Sequence, residues 1–199
     1  VTRPYRAGER QRSIDAGRDK ILAAARDLLE GEDGEPFSID AVARRAGVAR
    51  MTIYNQFESK AGLLEELFDL LAERGAFERM SDIFHEPDPD AAFDAFVALF
   101  GEFWTASRHA HRKLRAAAIH DAELESAMTR RNERRRFGVA ELVKRLAKQR
   151  KLPLTKEETV NVLFVLLSFD TFDALAGTNR TPKDAVPTVR RLVRLVTGA

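Results

Sequence analysis

Five side chains within six positions are suited to contacting a nucleic acid: Arg50, Met51, Thr52, Tyr54 and Asn55. A guanidinium can bond a guanine edge through two hydrogen bonds, and a carboxamide can do the same for adenine. A methionine or a threonine methyl can touch the methyl of thymine. Tyr54 can reach a phosphate through its hydroxyl, a contact that positions without reading sequence. Lys60 stands at the start of the following helix and Ser38 at the start of the preceding one. Unpaired backbone N–H groups at such helix starts also favour phosphate. The rest of the chain shows no nucleophile elbow, no phosphate-cradling glycine loop and no metal-ligand cluster, so no enzyme, cofactor or metal site is expected.

Side chains of this kind need a short helix braced across another. The segment from Phe37 to Phe57 supplies two, over 38–46 and 49–56. Ser38 is a good cap for the first, and Ala43 is small where two crossing helices approach most closely. Gly47 permits the left-handed turn that other residues resist. Val42, Ala46, Val48 and Ile53 fall on the inward side. A pair built this way places its second helix in the DNA major groove. A hairpin that merely packs is the alternative, and the polar outward face speaks against it.

Helical periodicity predicts the remaining elements. Ile21, Ala24, Ala25, Leu28 and Leu29 make one stripe on a helix over 15–30. A longer helix runs from Ser59 toward Asp82, and residues 85–90, with two prolines, form a loop. Helices follow over 90–107, 110–120 and 121–150, then over 155–176, where Thr155 and Glu158 have capping-box spacing. The last helix spans 181–196, and Pro187 requires a kink or a later start. No strand alternation appears. The fold class is therefore all-α: a helix-turn-helix domain over 15–62 and a helical bundle over 63–199. Pro4 and Gly8 discourage helix in residues 1–14, which hold Arg3, Arg6, Arg10 and Arg12. They read as a mobile basic arm or a disordered solubilising terminus.

On Ala46-Gly47-Val48, Thr52-Ile53-Tyr54, Phe57, Ser59-Lys60 and Leu63-Leu64 the sequence resembles the TetR family of transcriptional regulators. The likeness covers roughly residues 15–70. It implies about nine helices, a homodimer and a small-molecule pocket in the body. Two positions depart from the family pattern. Ala49 stands where a hydroxyl often caps the recognition helix, and Met51 replaces a residue that is frequently small.

The body offers an aromatic face on its first helix, with Phe93, Phe96, Phe100, Phe103 and Trp104, and Phe137, Phe164, Phe169 and Phe172 are able to meet it. An ordinary core is one reading; an apolar effector pocket edged by Trp104, His120 and Asp121 is the other. His109, His111 and His120 lack the spacing of a metal site. The run Arg130, Arg131, Arg134, Arg135, Arg136 reads as a solvated helix face, with acidic partners or an anionic effector as alternatives. The helices over 155–176 and 182–196 are apolar on two sides, which predicts a homodimer interface. A charge at Phe172 or Val193 is expected to dissociate or unfold it.

The absence of cysteine excludes a disulfide framework and is compatible with the cytoplasm, the expected location. A net charge of +2 neither demands nor excludes a nucleic-acid partner, so local charge decides. The N-terminus has no apolar run, and Val1 in place of methionine suggests a trimmed or processed end. No membrane partner is expected. The sequence thus points to a regulator, most simply a repressor, that grips a near-palindromic double-stranded operator as a homodimer and releases it on binding an apolar effector. The rival is a constitutive DNA-binding or protein-interaction dimer with no effector. Operator, effector, regulated genes and the choice between repression and activation are not legible.

Overall fold

The computed structural model describes residues 4–31, 35–71 and 76–199, the side chains of 4–13 and 76–78 excepted. Among the described residues there are eleven α-helices, one 3-10 turn and no strand. The chain divides into two compact units, Val1–Leu70 with Arg112–Ala127, and Leu71–His111 with Met128–Ala199. The sequence expectation places one boundary near residue 62.

The first unit holds α1 (Pro4–Glu30), α2 (Ile39–Ala46), α3 (Arg50–Phe57) and α4 (Lys60–Leu71). Helix α1 starts at Pro4, which corrects the expectation that residues 1–14 stay out of helix; positions 1–3 of that arm lie outside the described residues. A first-turn proline forfeits no hydrogen bond, because the N–H it lacks has no intrahelical acceptor. The apolar stripe is as the periodicity predicts: Ile21, Ala25, Leu28 and Leu29 are fully buried. Arg18 binds α1 to α3 and α4. Its guanidinium donates to both carboxylate oxygens of Glu66 and to the Gln56 carbonyl, and it lies 4.5 Å from the Phe57 ring centre. Lys113 donates to the carbonyls of Leu28 and Gly31, which satisfies acceptors that the end of a helix leaves open.

The second unit holds α5 (Ala76–His85), α6 (Pro89–Ala106), α9 (Lys156–Leu166), α10 (Phe169–Ala176), a 3-10 turn (Pro182–Ala185) and α11 (Val186–Thr197). Helices α7 (Arg108–Ala118) and α8 (Ala122–Gln149) each cross the division between the units. The core joins Phe93, Phe96 and Val97 of α6 to Val139, Leu142 and Leu146 of α8, with Leu163, Phe172, Val189 and Val193. Gly101 allows a close approach, since a Cβ there would collide with Val186 Cγ2. Arg108 ties the start of α7 to the end of α10 through Asp173 and the carbonyls of Gly177 and Arg180.

One long helix expected from periodicity, over 155–176, is two helices among the described residues. The stretch over 59–82 gives α4 and α5, with 72–75 outside the described residues. The stretch over 155–176 breaks at Leu167-Ser168, and α9 and α10 bend by 49°. Ser168 causes the break: its hydroxyl accepts the Thr171 N–H at 3.2 Å and so caps a new helix. Pro187 sits in the first turn of α11, so the last helix starts late and does not kink. Among the described residues no single helix is long and apolar enough to cross a membrane.

Candidate functional site

Helix α2 begins at Ser38, whose Oγ accepts the Ala41 N–H at 3.1 Å. It ends at Gly47, where φ is 64° and the left-handed turn lets Val48 donate to the Ala43 carbonyl at 3.0 Å. Helix α3 follows without a side-chain cap at Ala49, as its methyl group dictates. Eight residues are too few for an isolated helix to be stable in water. Burial of Ile53 and Phe57 holds α3 in place and turns its other faces outward.

Those faces carry the expected side chains. Met51 is 64% exposed, Arg50 and Asn55 are exposed, and Thr52 and Tyr54 are half-buried. Arg50 is engaged: its guanidinium donates to both carboxylate oxygens of Asp40 and to the Tyr54 hydroxyl, each at 3.2 Å. The Tyr54 hydrogen bond and the Asp40 charge hold the Arg50 pKa above its ordinary value. Side chains able to donate to and accept from a base edge therefore stand together with the Tyr54 hydroxyl on one short helix, with Arg50 paired to an acid of the preceding helix.

Lys60 is placed differently from the expected phosphate contact. It is buried, its ammonium pairs with Asp121, and it lies 5.7 Å from the Phe37 ring centre. Burial alone would raise the Asp121 pKa, yet the value is lowered, because the Lys60 contact and the N–H groups of Leu124 and Glu123 together outweigh desolvation. Asp121 is thus a head residue that caps α8 through Leu124 and neutralises Lys60. It belongs to the first unit, whereas the aromatic cluster belongs to the second.

That cluster gathers four of the eight side chains expected to line a pocket. Trp104 has its ring centre 5.6 Å from Phe100, 4.7 Å from Phe103 and 5.7 Å from Phe169. Its Nε1 donates at 3.1 Å to the Leu167 carbonyl, at the break between α9 and α10. Phe172 is fully buried in the same core, and half-buried Phe164 joins through Arg135. Phe137 and His120 are not brought to the cluster. Phe137 is 68% exposed because α8 buries Arg135, Val139, Leu142 and Leu146, and position 137 falls on the other side of that stripe. His120 lies in the exposed turn before α8, within the first unit.

Two residues of this region are absent from the expected pocket lining, although His111 and the arginine run were both weighed in the sequence. His111 is buried, with its ring 4.7 Å from Trp104 and 5.1 Å from Phe169. Arg135, counted in a solvated run, is only 8% exposed and lies 4.6 Å from the Phe164 ring centre and 5.7 Å from that of Trp104. Its spacing of four and seven to Val139 and Leu142 was the available signal. Outside the cluster, Val165 of α9 and Leu195 of α11 are 59% and 67% exposed.

Residues 21–67 match the family model of bacterial regulatory proteins, tetR family. The chain is 36% identical over 112 residues to the HTH-type transcriptional regulator AlkX of Mycobacterium tuberculosis, a match covering 56% of this chain and 47% of AlkX. It is 30% identical over 112 residues to the HTH-type transcriptional regulator EthR of the same species, covering 53% and 51%. The match thus spans about half the length of each curated relative. Among solved structures, a TetR-family transcriptional regulator from Rhodococcus sp. superposes with a TM-score of 0.67 at 17% identity, covering 91% of this chain and 98% of that one. The fatty acid degradation regulator FadR from Bacillus halodurans does so at 0.65 and 19% identity, covering 89% and 94%. At these identities the two structures share the fold.

Proposed function

The chain belongs to the TetR family of transcriptional regulators, and from that membership we propose that it is a dimeric DNA-binding repressor released from a near-palindromic operator by a small effector with apolar surface. The reading rests on one observation above others. The α2–Gly47–α3 unit presents Arg50, Met51, Thr52, Tyr54 and Asn55 outward, on a helix that Ile53 and Phe57 hold from within.

In this proposal α3 enters the major groove, and Arg50 exchanges Asp40 for a guanine edge. An exposed ion pair in water is weak, whereas a bidentate bond to a base is strong, so the exchange favours the complex. Tyr54 and the hydroxyl hydrogen of Ser38 grip phosphates. Lys60 contributes to that grip only if its pair with Asp121 opens. Two protomers joined through α9 and α11 present two copies of α3 to two half-sites. The effector acts by binding the operator-competent and incompetent states unequally.

The test uses an operator selected from random duplexes, with binding titrated against salt. Arg50→Ala is expected to weaken operator binding by about tenfold to a hundredfold per half-site and leave random duplex nearly unaffected. Equal weakening on both duplexes would remove Arg50 from base reading, and no effect on either would refute groove entry by α3. For Lys60→Ala, a salt slope lowered by about one unit per half-site marks a phosphate contact. An unchanged slope with a lower melting temperature marks a residue that only holds the head. An operator affinity that no small molecule alters would return the constitutive dimer.

A further inference from the structure

Arg135 is a largely buried arginine of the second unit with no anion bonded to its guanidinium. Its residue is 8% exposed, and its Nε is buried with no hydrogen-bond partner. No carboxylate or carbonyl among the described residues bonds it; its contacts are the faces of Phe164 and Trp104. The charge acting on it is a like one, Arg136, which lies 4.0 Å from the same Phe164 ring centre and is itself paired with Glu133 at 3.7 Å and bonded to Asn161 Oδ1 at 2.7 Å. Desolvation, with a smaller contribution from Arg136, pushes the Arg135 pKa down to about 10, so the group stays charged at neutral pH. A buried charge is ordinarily paired, and a cation stacked on two rings without an anion is an incomplete arrangement.

Resting on the effector reading, we propose that Arg135 is the anchor for a monocarboxylate effector whose apolar body lies along Phe164, Trp104 and the half-buried Phe100 and Phe103. The planar fork of a guanidinium matches the two oxygens of a carboxylate. One free guanidinium neutralises one negative charge, so a phosphate dianion would carry an uncompensated charge into a largely apolar site. The surroundings are rings, so the remainder of the ligand is alkyl or aryl. Partial exposure of Phe100, Phe103 and Phe164 marks the side on which it enters.

The chain has a single tryptophan, and it is the one beside Arg135, so emission reports on the site directly. The full chain is titrated with decanoate, decanol, decyl phosphate and para-butylbenzoate, following Trp104 emission and heat. The two carboxylates are expected to saturate the signal and to bind about tenfold or more tightly than decanol, with decyl phosphate weaker than decanoate. Arg135→Met retains length and packing and is expected to erase the preference for decanoate over decanol; Arg135→Lys retains part of it. Equal affinity for decanoate and decanol in the wild type overturns the proposal, as does a preference that survives Arg135→Met, tighter binding of decyl phosphate, or no binding of either carboxylate. If Arg135→Met does not fold, the wild-type series decides alone. Operator release is measured separately. Release by a neutral compound without carboxylate preference leaves the effector reading standing and this inference refuted. A carboxylate held by Arg135 that leaves operator affinity unchanged does the reverse.

Discussion

Single residues carry the consequences most open to measurement. Arg150 bonds both oxygens of Asp90, at 2.5 and 2.6 Å, and these bonds hold the Asp90 pKa below its ordinary value despite partial burial. The folded-state value therefore lies under the unfolded one, near about 4. The pair contributes its full stability above that pH and loses it as pH falls through the lower, folded value. The melting-temperature gap between wild type and Asp90→Asn should be constant from about pH 8 to 5 and close below about pH 4. A gap undiminished in strong acid would show that the carboxylate charge is not what Arg150 recognises. At this scale the sequence was legible where a residue type has one use, as at Gly47 with its left-handed turn or at the uncapped Ala49. It was illegible at Arg135 and Lys60. Both are long cations whose stems can lie in a core while composition alone suggests solvent, and only packing decides which way they turn.

Among the elements, side-chain-capped helix starts were legible and internal breaks were not. The capping box is present as the spacing foretold: Thr155 Oγ1 accepts the Glu158 N–H at 3.2 Å and the Thr155 N–H donates to Glu158 Oε2 at 2.9 Å. Thr155→Ala should cost about 1 kcal/mol in denaturant unfolding, with no change in operator affinity. A loss near zero would mean that tertiary packing alone holds the first turn of α9. The break at Ser168 was hidden because Leu163, Leu167, Phe169 and Phe172 keep up an apolar pattern across it. Apolar period records which side is buried and is blind to a serine hydroxyl that captures a backbone N–H. The break has a use that the pattern could not disclose, since the Leu167 carbonyl there receives the Trp104 indole.

For the whole molecule, all-helical architecture was legible from period alone, whereas the proposed interface between copies rests on apolar stripes. Phe172 and Val193, chosen from the stripes as places for a disruptive charge, are 0% and 2% exposed within the protomer, so a charge there unfolds it. Val165 and Leu195 are the better sites. Val165→Asp and Leu195→Asp should each turn a sedimenting dimer into a monomer with unchanged helical circular dichroism. A variant that remains dimeric at micromolar concentration would place the interface elsewhere. The division of the chain into units has a consequence for synthesis. Residues Arg112–Ala127 belong with the N-terminal helices, yet Leu71–His111 leave the ribosome first and are destined for the other unit. Lys60 waits 61 positions for Asp121, and Gly31 waits 82 for Lys113. The nascent head is therefore incomplete until more than half the polypeptide has emerged, with Lys60 lacking its counter-charge throughout. Excising residues 1–70 would reproduce that unfinished intermediate, so a stable fragment carrying the α2–α3 pair is expected to need both stretches of sequence.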